Sequence, residues 1–206
     1  MVYFCVVKRD KTISKAERTR QFIVEKTAPI FNKKGYAGTS LSDMTEATGL
    51  TKGSIYGNFS DKDEVALAAF DHNIEQITSI TRAEMAKQNT VRDQLLVYVN
   101  VYDNFLKHPF PEGGCPIMNT TVDADDTHPA LRNKVCNVVL SWKDRLVYLI
   151  GKGIENKEFQ SAINPEQTAL TIIAMIEGAI LITRATGKIN YRKQVLNSVE
   201  KLIKEM

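Results

Sequence analysis

Gly49-Leu50-Thr51-Lys52-Gly53-Ser54-Ile55-Tyr56-Gly57-Asn58-Phe59 reads as a tight turn running into a short helix. Gly49 stops the preceding helix and supplies the glycine common in such a tight turn. Thr51 is an N-cap, its hydroxyl able to accept from an amide one turn on. Ile55 and Phe59 are four apart and share one face, so they pack inward. Lys52, Ser54, Tyr56 and Asn58 are left facing outward, hydrogen-bonding groups around an aromatic ring, and Gly53 lets the backbone come close to whatever the helix meets. Upstream, Ser40-Leu41-Ser42-Asp43 starts another short helix that stops at Gly49. The pair has the proportions of a helix-turn-helix. Such a second helix presents its N-terminal residues to base edges in the major groove, while basic and polar flanks hold phosphates.

Working outward, the chain is a succession of helix starts with almost no strand signal. Ser14-Lys15-Ala16-Glu17 has the spacing of a capping box, and Ile23, Thr27, Ile30 and Phe31 then recur on a helical period until Gly35. Ser60-Asp61-Lys62-Asp63 opens a long helix through Val65, Leu67, Phe70, Ile74 and Ile77. Thr90 with Asp93 opens another, ending near His108-Pro109. Residues 108–129 hold Pro109, Pro111, Pro116 and Gly113-Gly114, a loop with one short helix from Ile117. Pro129 starts a helix over 130–157, Asn164-Pro165 starts one over 165–187, and the last runs from about Tyr191. The expected fold is all-α: an N-terminal three-helix helix-turn-helix domain (14–60) and a C-terminal helical bundle that dimerises (61–206), preceded by a flexible leader (1–13).

Charge follows this division. The first 60 residues carry ten Lys/Arg against five Asp/Glu, the remainder seventeen against nineteen. A basic head on a slightly acidic body suits contact with nucleic acid. Cys5, Cys115 and Cys136 form no CxxC pair, which argues against a disulfide framework or zinc ribbon and for a reducing, cytoplasmic setting. The apolar opening Met1–Val7 is too short for a signal-peptide core. The most apolar window, Ala169 to Thr183, is shorter than the roughly 20 residues of a membrane span, so no membrane association is expected.

Gly35-Tyr36-(x2)-Thr39-Ser40, then Gly49-Leu50-Thr51-Lys52-Gly53-Ser54-Ile55-Tyr56-(x)-Asn58-Phe59-(x2)-Lys62-(x)-Glu64, resembles the DNA-binding signature of the TetR family over residues 15–65. The family more often has His where Asn58 stands and Ile where Met44 stands. The resemblance implies that Thr39, Thr51, Lys52, Gly53, Ser54, Tyr56, Asn58 and Lys62 lie at the DNA, with Tyr56 and Lys62 mainly on phosphates. It implies a homodimer on a palindromic double-stranded operator, and a body that answers a small-molecule effector, so that a repressor is released from DNA.

For dimerisation the residues speak independently. The 165–187 helix is apolar almost all round, so it has more than one packed side, with Ala174, Gly178 and Ala179 allowing close approach. Helix 130–157 would complete an intersubunit bundle; a central core helix is the alternative. An effector cavity would be lined by residues such as Tyr98, Tyr102, Phe105, Met118, Trp142 and Met175. Gly114-Cys115-Pro116-(x2)-Asn119 is similar to a segment found in a subgroup of the family, some members of which sense electrophiles or oxidants through that cysteine. Cys115, at the start of a short helix, is therefore expected as a regulatory thiol favoured as thiolate, or else as an inert core residue. His108, His128, Asp123, Asp125 and Asp126 lack metal-site spacing and read as caps and turn residues. No cofactor is called for, and catalytic motifs such as GxSxG, HExxH and GxGxxG are absent. Thr51-Lys52-Gly53-Ser54 has Lys and Gly in the wrong order for a phosphate loop. A helical binding module without DNA contact is the competing reading.

Overall fold

Ser14 Oγ accepts from the Glu17 amide at 3.1 Å and the Glu17 carboxylate accepts from the Ser14 amide at 2.9 Å, closing the expected capping box at the first helix. This is seen in a computed structural model of the chain, which describes residues 14–103, 110–124 and 126–206. Their regular elements are α1 (Lys15–Gly38), α2 (Leu41–Thr48), α3 (Lys52–Tyr56), α4 (Lys62–Met85), α5 (Val91–Asp103), α6 (Pro116–Ala124), α7 (Pro129–Glu155), α8 (Pro165–Thr186) and α9 (Ile189–Glu205). All are α-helical, as the patterning predicts. The expected leader and Phe105 lie outside the described residues.

Boundaries follow local chemistry. Ser40 and Asp43 cap α2 reciprocally, and Asn164 Oδ1 accepts from the amides of Glu166 and Gln167 at the head of α8. At α4 the cap is Asp61, which accepts from the Glu64 amide at 2.8 Å, one residue later than expected. Gly35 breaks α1 at φ 73°, ψ 176°, after which one more helical turn leads to Gly38.

Two cores result. In the head, Ile23, Phe31, Met44, Ile55 and Phe59 pack with Val65, Ala66 and Ala69 of α4. In the body, Phe70 and Ile77 from further along α4 join Leu95, Trp142, Leu146, Ile172, Leu196 and Ile203 of α5, α7, α8 and α9. Helix α4 therefore belongs to both, and the head's core continues past residue 60.

Helix α8 is 22 residues long, more than its most apolar window suggested, and by length and composition alone could cross a membrane. Its Ala169, Ile172, Ile176, Ala179 and Ile180 are instead buried among its neighbours. Leu170, Leu181 and Ile182 are exposed on its other side, as are Leu140 and Tyr148 on α7.

Candidate nucleic-acid interface and effector cavity

The turn between α2 and α3 is built by two residues. Gly49 sits at φ 67°, left-handed, and its amide closes the last turn on the Thr45 carbonyl at 2.8 Å. Thr51 Oγ1 accepts from the Ser54 amide at 3.2 Å. Ile55 is fully buried and Phe59 nearly so. The pair fixes the roll of α3, leaving Thr51, Lys52 and Gly53 exposed, and Ser54, Tyr56 and Asn58 half-buried at the rim.

Arg20 of α1 locks this arrangement. Its guanidinium lies 3.9 Å from the Phe59 ring centroid, donates to the Asn58 carbonyl at 2.5 Å and pairs with Glu64 at 2.5 Å. Glu64 also accepts from the Ser60 amide, and these hydrogen bonds, Ser60 first and then Arg20, hold its carboxyl below the ordinary value. An ion pair this exposed adds little stability. Its effect is to orient the end of α3. Nothing in the α2–α3 motif pointed to Arg20, which stands more than thirty residues upstream of Asn58.

Three expected DNA-facing residues are engaged inside the protein. Thr39 is 1% exposed and its hydroxyl donates to the Gly35 carbonyl at 2.7 Å, so the side chain has no surface for the expected DNA contact. The residue serves the kink at the end of α1 instead. The Asn58 amide donates to the Ser54 carbonyl at 2.9 Å, capping α3. Lys62 is half-buried, its amine 4.3 Å from the Tyr36 ring centroid.

Tyr36 is where head and body meet. Its hydroxyl donates to Asp63, a bond that, with burial, pushes the phenol up to about 12. Its ring meets His128 edge-on at 4.4 Å, and its amide donates to Asp123. A side chain at Gly35 would strike the Asp123 carboxylate at 2.7 Å, so only glycine fits there. Asn32 of α1 donates to the carbonyls of Glu112 and Gly114, and Asn119 returns to the Asn32 carbonyl at 2.9 Å. Residues 112–119 thus form the socket in which α1 sits. His128 caps α7, accepting from the Leu131 amide at 3.2 Å, which matches its expected role.

That socket corrects the reading of Cys115. The thiol is fully buried and donates to Glu177 Oε1 at 3.0 Å. Burial, then the neighbouring Glu177 carboxyl, raises the thiol well above its ordinary value, overriding the amides of the α6 terminus. Burial likewise raises Glu177. A protonated, enclosed thiol is not the reactive form. With Cys5 and Cys136 replaced by Ser, Cys115 should react with Ellman's reagent at least about a hundredfold more slowly in the native protein than after denaturation. N-ethylmaleimide should then leave DNA binding unchanged; rapid stoichiometric labelling of the native protein would restore the sensing role.

Within the body, α4, α5, α6 and α7 line an open cavity of about 780 Å³. Tyr98, Tyr102 and Trp142 line it as expected, with Ile77, Met85 and Ile117. The Tyr102 and Trp142 rings stack 5.9 Å apart at 7°. Burial pushes Tyr98 up to about 12. Cys115, Met118 and Met175 are not on its wall: the first is sealed against α8, the other two pack on the body core. Missed by the sequence reading were Thr81, Arg82, Gln94 and Arg145; lining a cavity needs knowledge of helix rotation that periodicity alone does not give.

Comparison with known proteins covers both halves. Residues 23–69 match bacterial regulatory proteins of the tetR family, and residues 92–199 the tetracyclin repressor-like C-terminal domain. A TetR-family transcriptional regulator from Cytophaga hutchinsonii is 53% identical, with TM-score 0.90 over 94% of this chain and 96% of that one. A TetR transcriptional regulator from Chloroflexus aurantiacus is 34% identical, with TM-score 0.87 over 93% and 97%. The transcriptional repressor DhaR of a Mycobacterium species is 25% identical over 167 residues, 79% of this chain and 80% of that protein. Head and body answer to one family, and the chain belongs to it: it is a DNA-binding transcriptional regulator of the TetR family.

Proposed function

We propose that the protein is a homodimeric repressor that binds a palindromic operator through α3 and leaves it when a small molecule enters the body cavity. The supporting observation is the double membership of α4. Its Val65, Ala66 and Ala69 lie in the head core, while its Ile77, Thr81 and Met85 line the cavity. A helix is stiff over three turns, so a ligand that shifts its far end moves the head. The Tyr36–Asp123 and Asn32–Gly114 contacts give α6, whose Ile117 also lines the cavity, a second hold on α1. An effector dissociates the complex only if it binds the released arrangement more tightly.

The contacts proposed are Thr51, Lys52, Gly53, Ser54 and Tyr56 from α3 and its cap, with Lys62 beside them. The partner subunit would meet the outward face of α8, where Leu170, Ala174, Gly178, Leu181 and Ala185 recur at helical spacing, next to Leu140 and Tyr148 of α7. The test is fluorescence anisotropy of labelled duplex from the promoter of the protein's own gene. Affinity should fall steeply with salt as displaced counterions are recaptured. Salt-independent binding, or none, would count against operator recognition.

Gly53 offers a sharper check. A Cβ there would meet only Thr51 Oγ1, at 4.0 Å, so nothing inside the protein requires glycine. Glycine within a helix costs about 0.8–1.0 kcal/mol relative to alanine, so the residue is kept at a loss to the fold. Gly53→Ala should leave thermal stability equal or slightly raised and weaken operator binding at least about tenfold, because the methyl group holds the backbone off the DNA. Unchanged affinity would remove close backbone approach from the interface.

A further inference from the structure

We propose that the cavity takes an amphipathic organic anion: an apolar or aromatic body carrying one carboxylate or similar acid group. This rests on the effector reading of the cavity given above and adds the chemical class. The cavity is two-sided. Its inner wall is apolar and aromatic, from Ile77, Met85, Tyr98, Tyr102, Ile117 and Trp142. Its exposed edge carries two arginines, Arg82 of α4 and Arg145 of α7, and among the described residues no Asp or Glu lines it.

The two arginines line the same cavity, one from each of two helices. Lys134 of α7 pairs with Asp71 of α4. Arg82 stands eleven residues beyond Asp71 and Arg145 eleven residues beyond Lys134, about three turns on in each helix. Neither arginine has a buried counter-charge among the described residues. Arg145 has no carboxylate within ion-pair distance among the described residues, only the Tyr148 ring at 5.4 Å. Arg82 has Glu75 at 3.6 Å, a pair largely in solvent.

The remaining polar groups of the wall also favour an acceptor-rich guest. Tyr98 and Tyr102, both buried, line the wall and carry hydroxyls. Both can donate. The Thr81 hydroxyl is already spent on the Ile77 carbonyl, at 2.8 Å. A carboxylate accepts two guanidinium N–H bonds in parallel, a match for Arg that a neutral amide makes weakly and an ammonium not at all. A cationic guest would face two arginines with no counter-charge on the wall. An apolar guest with no acid group would leave both guanidiniums unanswered.

Trp142 is the single tryptophan of the chain and lines the cavity, so its fluorescence reports occupancy. Three probes of one shape separate the possibilities: para-phenylbenzoate, its primary amide, and para-phenylbenzylammonium. The benzoate should quench Trp142 with an affinity at least about tenfold above the amide and further still above the ammonium. Arg145→Gln and Arg82→Gln should each reduce that preference severalfold, and the double variant should abolish it, the amide's affinity falling far less than the benzoate's. Retention of the preference in the double variant overturns the assignment. So does wild-type binding of the amide or the ammonium as tightly as the benzoate; in that case the cavity remains an effector site of another class. If none of the three alters Trp142 emission, the effector reading of the cavity itself fails, and this proposal with it.

Discussion

Tyr56→Ala and Lys52→Ala are each expected to weaken operator binding by about a hundredfold while leaving the helical circular-dichroism signal and the melting temperature nearly unchanged. The size follows from symmetry. A single side-chain contact to DNA is worth about 1–3 kcal/mol. A two-fold dimer on a palindrome loses each deleted contact twice, so even a loss of about 1.4 kcal/mol per half-site becomes a factor of about one hundred. The fold should tolerate both changes. Lys52 is exposed, and Tyr56 is a half-buried residue packed at the edge of the head core rather than within it. The two variants should differ in kind. Losing Lys52 removes a positive charge from each half-site, so if it lies on phosphate the plot of log affinity against log salt should flatten by about two units. Losing Tyr56 removes a hydroxyl and a ring but no charge, so the slope should stay. Anisotropy titrations at several salt concentrations read both quantities. Wild-type affinity in both variants would mean that α3 is not the helix that enters the groove.

The contrast between what these residues reveal in sequence and what they conceal has a physical basis. Helix caps are local: Ser14 with Glu17, Ser40 with Asp43, Thr51 with Ser54 each act over three residues, so spacing alone discloses them. The inward pair Ile55 and Phe59 is likewise a matter of helical period. Arg20 on Phe59 and Glu64, Asn32 in its socket of carbonyls, and Cys115 against Glu177 join residues dozens of positions apart. Their meeting depends on how whole helices dock, which no local window carries. Cys115 shows how this can mislead. Its place before a short helix argues for a stabilised thiolate, and that is sound locally. Docking of α8 then covers the thiol and sets a carboxyl beside it, and desolvation outweighs the helix terminus. Thr39 errs the same way. A hydroxyl beside the α2 cap looks available, but the kink at Gly35 turns it inward.

Leu181→Arg is expected to yield a monomer with intact helices that no longer binds operator at concentrations where the wild type saturates. Leu181 is 55% exposed in the single chain, so an arginine there costs the isolated fold little. Gly178, one turn earlier on the same face, has open space where a side chain would be, and Ala174 and Ala185 continue a surface on which a second helix can lie close. Closing two copies over this face would strand an unpaired guanidinium in an apolar interface, twice per dimer, each at a cost of several kcal/mol. The neighbouring Ile180 is no substitute in this test. It is 3% exposed and faces its own core, so Ile180→Arg would damage the fold before it reported on association. Light scattering should return the mass of one 23.1 kDa chain in place of two. Loss of DNA binding follows because a lone head reaches one half-site, without a partner head held about 34–36 Å away in the next major groove. Ala174→Arg, about two turns away on the same helix, should behave alike. A well-folded dimer from both variants, still saturating operator at wild-type concentrations, would move the subunit contact off α8.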